Sequence, residues 1–348
     1  MMSNKQTHSA AAPLKAASVG LFVLILVLLP AVLSNYQTLQ LTTVVIYAIA
    51  LLGLNILMGY GGQVSLGHGA FFGIGAYVFA ILLTQAGLPY WIGVPLTGLI
   101  CLLGGILFGL PALRLEGHHL ALATFALAVA LPQILKNDKL APWTGGVQGA
   151  VIDPVGAPAF LPLSSDQFLY YLCLFVAIIA FATAWNLLRG RTGRAIVAIR
   201  DNPIAAASMG INTAYYKTMT FGVSAMFTGV AGALGALAAQ YVAPDSFSFF
   251  LSISLVVGVV VGGISTISGA IFGAVFIQFI PDIVEQISKA ATWAIYGVFL
   301  IGLMYLAPNG FVGMCVSLRD YFKHRNVKPV PPQPAKPAET GLLAERKL

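Results

Sequence analysis

Between Lys15 and Arg114 the chain contains no Asp, Glu, Lys or Arg. A helix crosses a bilayer with ~20 apolar residues, so this run alone has room for about four crossings. Further charge-free windows cover 117–135, 167–188, 218–244, 246–281 and 290–318, each long enough to cross at ~1.5 Å of rise per residue. Only 8% of the residues are charged and the mean hydropathy is +0.88, against roughly 25% charged in a soluble domain, so a water-facing shell cannot be built from this chain. Stretches 21–29 and 255–261 are apolar at every position, whereas a barrel strand alternates apolar with polar residues. The expected fold is all-α: a polytopic transmembrane helical bundle of about 10 spans (8–10), with discontinuous glycine-rich helices.

Charge then orients the bundle, because short cytoplasmic loops carry the excess of Lys and Arg. Segment 189–217 and the tail after Leu318 are basic, while 137–166 and the short loop at Asp245 are acidic. The expected order is a cytoplasmic tail over 1–15, a transmembrane domain over 16–308 and a largely disordered, proline-rich cytoplasmic tail over 309–348. Within the domain, 137–166 is a periplasmic loop and 189–217 a cytoplasmic one. The apolar core of window 16–33 exceeds that of a signal peptide, so it is kept as a span. With both ends and the 189–217 loop on one side, window 246–281 must cross twice or turn back, with its break around Gly262, Gly263 and Gly269.

Two stretches carry candidate function. In the 189–217 loop, Asn202 suits a helix N-cap, Pro203 the first helical position and Gly210 the left-handed terminal position. They predict a short capped helix of about two turns lying off the membrane. Arg194 and Arg200 precede it, placed to meet an anionic surface or an acidic groove of a partner. An ordinary basic loop would account for the arginines but not for the capped helix.

The second stretch is glycine-dense, G-Y-G-G-Q-V-S-L-G-H-G-A-F-F-G-I-G-A over 59–76. Each such glycine weakens a continuous helix by ~1 kcal/mol relative to Ala, so a break is expected. Transporters place substrate sites at discontinuous helices, which would make Gln63, Ser65 and His68 pathway residues. Close packing of Gly67, Gly69 and Gly73 along one seam is the other reading, and the two are compatible. The pattern echoes 200 residues later, at Gly262, Ser265, Gly269, Ala270, Phe272 and Gly273, so Ser265 and Thr266 join the candidates. Gly105 and Gly109, Gly258 and Gly262, and Gly269 and Gly273 have the small-xxx-small spacing of helix contacts. Cys101, Cys173 and Cys315 have no metal-ligand or disulfide spacing.

Three segments, 54–77, 191–217 and 262–270, resemble the LivM-type permeases of bacterial branched-chain amino acid ATP-binding-cassette importers. The resemblance extends over roughly 20–311. It implies a subunit translocating branched-chain, hydrophobic amino acids across the inner membrane by alternating access. The implied partners are a paralogous second permease, two cytoplasmic ATPases that use ATP and Mg²⁺, and a periplasmic substrate-binding protein. No cofactor is bound by this chain and no catalytic or metal site is implied. Pathway candidates are Asn55, Gln63, Ser65, His68, Ser265 and Thr266. Coupling candidates are Arg194, Arg200, Asn202, Pro203, Ala205, Ala206 and Gly210. Many importer permeases carry a glutamate where this chain has Ile204, so the role of that carboxylate does not carry over.

Other classes fit less well. Related permeases for urea, amides or aromatic acids share these features. An ion-coupled carrier needs an intramembrane ionisable group, and only His68, His118 and His119 offer one. An enzyme needs a nucleophile, metal cluster or acid pair, and the sequence has no HExxH, GxSxG or P-loop motif.

Overall fold

The computed structural model describes residues 20, 23–112, 117–156, 163–287, 297, 301–302, 305 and 310–314. The expected tail over 1–15, most of window 290–318, Cys315 and the C-terminal tail beyond it lie outside the described residues.

A helical stretch over 23–28 runs into a 3-10 turn, Leu29–Ala31. Ser34 then opens α1 (Asn35–Asn55) with a capping box, its hydroxyl accepting from the Gln37 N–H. Helix α1 continues into one π-helical turn, Ile56–Tyr60. Next come α2 (His68–Thr84), α3 (Tyr90–Ala112), α4 (His118–Leu135), the single turn α5 (Ala141–Thr144) and α6 (Ser165–Arg189). After them follow α7 (Arg191–Asp201), α8 (Pro203–Ser208), α9 (Thr213–Ala239), α10 (Phe249–Gly262) and α11 (Gly269–Ile287). Among the described residues the only strands are β1 (Ala150–Val151) and β2 (Tyr241–Val242), paired antiparallel. Among the described residues, five elements are long and apolar enough to cross a membrane, namely α1 with its π turn, α3, α4, α6 and α9, while α2 and α10 are shorter apolar helices. The chain is an all-α, multi-pass membrane protein.

Helix α9 is the axis of the bundle, packed against α1, α2 and α3. Apolar side chains gain little by leaving lipid for one another, so close backbone approach has to hold such helices together. Glycines supply it. Gly75 of α2 lies on the Gly229 backbone, Gly232 on the Phe72 carbonyl, and Gly105 on Ala225 and Gly222. Gly258 and Gly262 of α10 meet Gly273 and Gly269 of α11, so the small-residue pairs expected from spacing are contacts. On the outside, Leu103, Leu107, Leu122 and Phe175 are exposed and present α3, α4 and α6 to lipid.

Helix α9 also separates two ends, since its first residue follows α8 and its last precedes β2. At the β2 end, the β1–β2 pair and a Lys136–Asp245 ion pair of 2.6 Å join the segment after α4 to the turn before α10. At the other end lie α7, α8 and the helix breaks.

Window 246–281 is two helices, α10 of 14 residues and α11 of 19. Helix α10 rises about 21 Å, short of a ~30 Å hydrocarbon core. The chain reverses between them over 263–268, where Gly263 has φ 124° and Ser265 φ 62°. One reading needs correction. Arg191–Asp201, taken as loop, is a helix whose Gly193, Ala195, Ile196 and Ile199 are buried. Its arginines mask an apolar stripe at helical spacing. Gly193 is required there, because a side chain would strike the Leu188 backbone at the elbow between α6 and α7.

Candidate functional site

The two helix breaks meet. Helix α1 loses regular hydrogen bonding after Asn55, and the chain is non-helical from Gly61 to Gly67 before α2 begins. Asn55 is 1% exposed, and its amide is divided across the second break. Nδ2 donates to the Thr266 carbonyl at 2.7 Å and, more weakly, to the Gly263 carbonyl at 3.5 Å. Oδ1 accepts from the Ser265 N–H at 2.9 Å. Ser265 Oγ in turn donates to the Gly59 carbonyl at 2.7 Å. Backbone groups left over by one discontinuity are thus satisfied by the other, which is what buried irregular backbone requires. Gly59 has no room for a side chain between Asn55 and Ser265.

Arg200, in the last turn of α7, closes the arrangement. Its Nη1 donates to the Gly59 carbonyl at 3.0 Å and to Ser265 Oγ at 3.1 Å. Nε and Nη2 both donate to Asp201 Oδ1, at 3.0 and 2.9 Å. A guanidinium at the C-terminal end of α1 is also favourably placed against the helix dipole. Gly62 passes close over the arginine stem with φ 66°, a conformation glycine adopts without strain. Gln63 Nε2 donates to the Lys217 carbonyl at 3.3 Å, and a cleft of about 200 Å³ opens between 61–64, Gly117, Ile199, Arg200 and Lys217. Arg200 lies at the surface of this end of the bundle, its side chain 32% exposed, with one edge of the guanidinium on the Gly59 carbonyl and the Ser265 hydroxyl and the other on the exposed Asp201 carboxylate.

Ser65 and His68 belong to a second network. Ser224 Oγ donates to the Gly53 carbonyl at 2.6 Å, which leaves its oxygen to accept from His68 Nε2 at 2.6 Å. His68 Nδ1 then accepts from Ser65 Oγ at 2.9 Å. The donors thus select the Nε2-protonated tautomer. Both residues are fully buried, and the chain of bonds ties α1, α2 and α9 together. Beside it, the Leu66 N–H donates to Thr124 Oγ1 and the Gly69 N–H to Ser252 Oγ, at 2.9 and 3.0 Å. Sequence reasoning missed Ser224, Ser252 and Thr124. The available signal was a small hydroxyl inside an otherwise apolar window.

Helix α8 contacts α7 and α9 and leaves every residue but Ala206 exposed. Asn202 Oδ1 accepts from the N–H groups of Ile204 and Ala205 at 3.1 and 3.0 Å. Pro203 occupies the first turn, and Gly210 has φ 82°. The capped helix is as expected and ends at Ser208. Ala206 is buried, whereas Ile204 and Met209 are 80% and 83% exposed, and Pro203, Ala205, Ala207 and Ser208 are exposed with them. Arg194 lies apart, its Nη1 donating to the Arg189 carbonyl at 3.3 Å.

Comparison with known proteins gives this arrangement a context. Residues 37–308 match the family of permease components of the branched-chain amino acid transport system. The chain belongs to this family. The LivM permease protein of the high-affinity branched-chain amino acid transport system in Salmonella typhimurium is 32% identical over 298 residues, covering 78% of this chain and 69% of that protein. The corresponding protein of Escherichia coli K12 is 31% identical over the same shares. More distantly, the LsrC permease protein of the autoinducer 2 import system in Salmonella paratyphi B is 27% identical over 216 residues, covering 59% of this chain and 60% of that one. No solved structure gives a significant match. The family match takes in both breaks, the His68 network and α8, so all of these lie within the permease region.

Proposed function

We propose that this permease is one transmembrane subunit of an ATP-binding-cassette importer that carries branched-chain, hydrophobic amino acids across the bacterial inner membrane by alternating access. The observation that carries the reading is α8, a capped helix with an exposed apolar pair on a basic loop, standing off a bundle of the branched-chain permease family. It serves as the contact for a cytoplasmic ATPase, with Ile204, Ala205, Ser208 and Met209 outward and Asn202, Pro203 and Gly210 fixing its shape. The α7–α8 end is cytoplasmic, as are both termini, and the β1–β2 end is periplasmic, in keeping with the basic character of the former. Two ATPases use ATP and Mg²⁺, a paralogous permease completes the pathway, and a periplasmic protein delivers substrate. This chain binds neither nucleotide nor metal.

Asn55, Gln63, Ser65, His68, Ser265 and Thr266 belong to the moving walls of the pathway. Their amides, hydroxyls and broken helix ends suit a zwitterion with an apolar side chain. A proton-driven carrier is less well supported, because both ring nitrogens of His68 are engaged by hydroxyls within the bundle and His118 and His119 are exposed at the very start of α4. The test is uptake of radiolabelled leucine by proteoliposomes containing the full complex. Uptake that survives collapse of the proton gradient and stops without ATP supports the importer. Uptake that follows the gradient and ignores ATP refutes it.

A further inference from the structure

Helix α8 has been read as the place where force enters, but its own contacts with the bundle are few. Besides the direct connection to α9, a side-chain link from the α7–α8 junction to the helix breaks is made by Arg200, two positions before the Asn202 cap. One nitrogen of this guanidinium reaches both breaks at once, through the Gly59 carbonyl at 3.0 Å and Ser265 Oγ at 3.1 Å. The remaining edge pairs with Oδ1 of Asp201, the last residue of α7, so the guanidinium bridges the α7–α8 junction and the two breaks. Gly59 lies in the π turn, one residue before its end, and Ser265 sits in the left-handed region at φ 62°. Both are points where backbone torsions can change without dismantling a helix. Asn55 adds a second tie between the same segments.

We propose that Arg200 is the positioning residue that couples α8 to the two helix breaks. Displacement of α8 is delivered through its guanidinium to Gly59 and Ser265 together, so that α1–α2 and α10–α11 change in concert. The inference rests on the importer reading above and adds a residue that acts inward, away from the ATPase surface. Coupling free energies of this kind correspond to about 5- to 150-fold.

The test uses the complete complex with Cys315→Ser in this chain and a reporter cysteine at Ile264, which is 50% exposed beside the second break. Alkylation of the reporter is timed in the nucleotide-free complex and in the ATP- and vanadate-trapped complex. The parent complex is expected to show at least about a fivefold change in rate between the two states. In R200A the ATPases still co-purify and the change falls to below about twofold. S265A gives a partial loss, and the double variant R200A/S265A loses no more than R200A alone, because both act through one contact.

A nucleotide response in R200A within twofold of the parent overturns the proposal. So does an unresponsive reporter in the parent complex. If R200A fails to hold the ATPases while S265A responds normally, Arg200 serves docking or folding, which also overturns it. Failure of the parent chain to co-purify with any ATPase sinks the importer reading itself, and is thereby distinguishable from failure of the strut.

Discussion

Replacing Asn55 with Ala tests whether the two helix breaks are held together by this one amide. The substitution removes two short bonds, Nδ2 to the Thr266 carbonyl at 2.7 Å and the Ser265 N–H to Oδ1 at 2.9 Å. The carbonyls are partly rescued, since Thr266 O still accepts from the Gly269 N–H at 3.1 Å and Gly263 O from Thr266 Oγ1 at 2.7 Å. The Ser265 N–H loses its acceptor. Ser265 is half-buried, so stranding its donor costs toward the lower end of about 1–3 kcal/mol, and a side-chain bond in a membrane bundle contributes about 0.6 kcal/mol on average. The expected loss is therefore about 2 kcal/mol, or roughly 3 °C in Tm for a chain of 348 residues. In a Cys315→Ser background the remaining Cys101 and Cys173 are both buried, so a thiol-reactive fluorophore reports melting of the detergent-solubilised protein. Asn55→Asp sharpens the test, because it keeps the acceptor for Ser265 but aims a carboxylate at two carbonyls. It is expected to melt no higher than Asn55→Ala. A Tm for Asn55→Ala within about 1 °C of the parent, or a clearly more stable Asn55→Asp, would refute the reasoning.

Ser224→Ala removes the link from His68 to the Gly53 carbonyl and is expected to cost about 1–2 kcal/mol in the same melting assay. Ser208→Ala, which loses only an exposed bond to the Ile204 carbonyl, should stay within about 0.5 kcal/mol. Gly75→Ala drives a methyl into the Gly229 backbone, whereas Gly104 has nothing within 4 Å. The first is expected to melt far below the parent or fail to yield folded protein. Gly104→Ala should match the parent or gain up to about 1 kcal/mol from helix propensity, and equal behaviour of the two would count against glycine-mediated packing around α9. Asn202→Ala removes the cap of α8 at a cost of about 1 kcal/mol. Hydrogen exchange of amides 204–206 should accelerate about fivefold, with Asn202→Asp close to the parent.

Much of this was legible because lipid permits few solutions. Charge-free windows mark helices, and the glycine runs at 59–76 and 262–273 mark where helices stop. The α8 cap was readable residue by residue from Asn202, Pro203 and Gly210, since capping chemistry is local. Helix α7 was hidden because its arginines outweigh Ala195, Ile196 and Ile199 in any reading of hydropathy. The π turn at Ile56–Tyr60 left no mark, as it depends on how Asn55 and Gly59 are held from 210 residues away. The bonds from Arg200 to both breaks were illegible for the same reason. A basic residue on a loop announces its charge, but only the fold supplies the Gly59 carbonyl and the Ser265 hydroxyl that claim it. Periodicity likewise places Ala206 on α8 without saying that it is the face turned to the bundle.

The account stands on α8 being the element through which a cytoplasmic ATPase moves the helix breaks. Cysteine substitution at Ser208, in a background with Cys315→Ser, measures this directly in cells and in the assembled complex. The account predicts no labelling by a membrane-impermeant maleimide applied outside intact cells, labelling in inside-out vesicles, and a cross-link to the ATPase that ATP binding strengthens or weakens. Labelling from the outside, or a cysteine equally reactive with and without the ATPases bound, would contradict it.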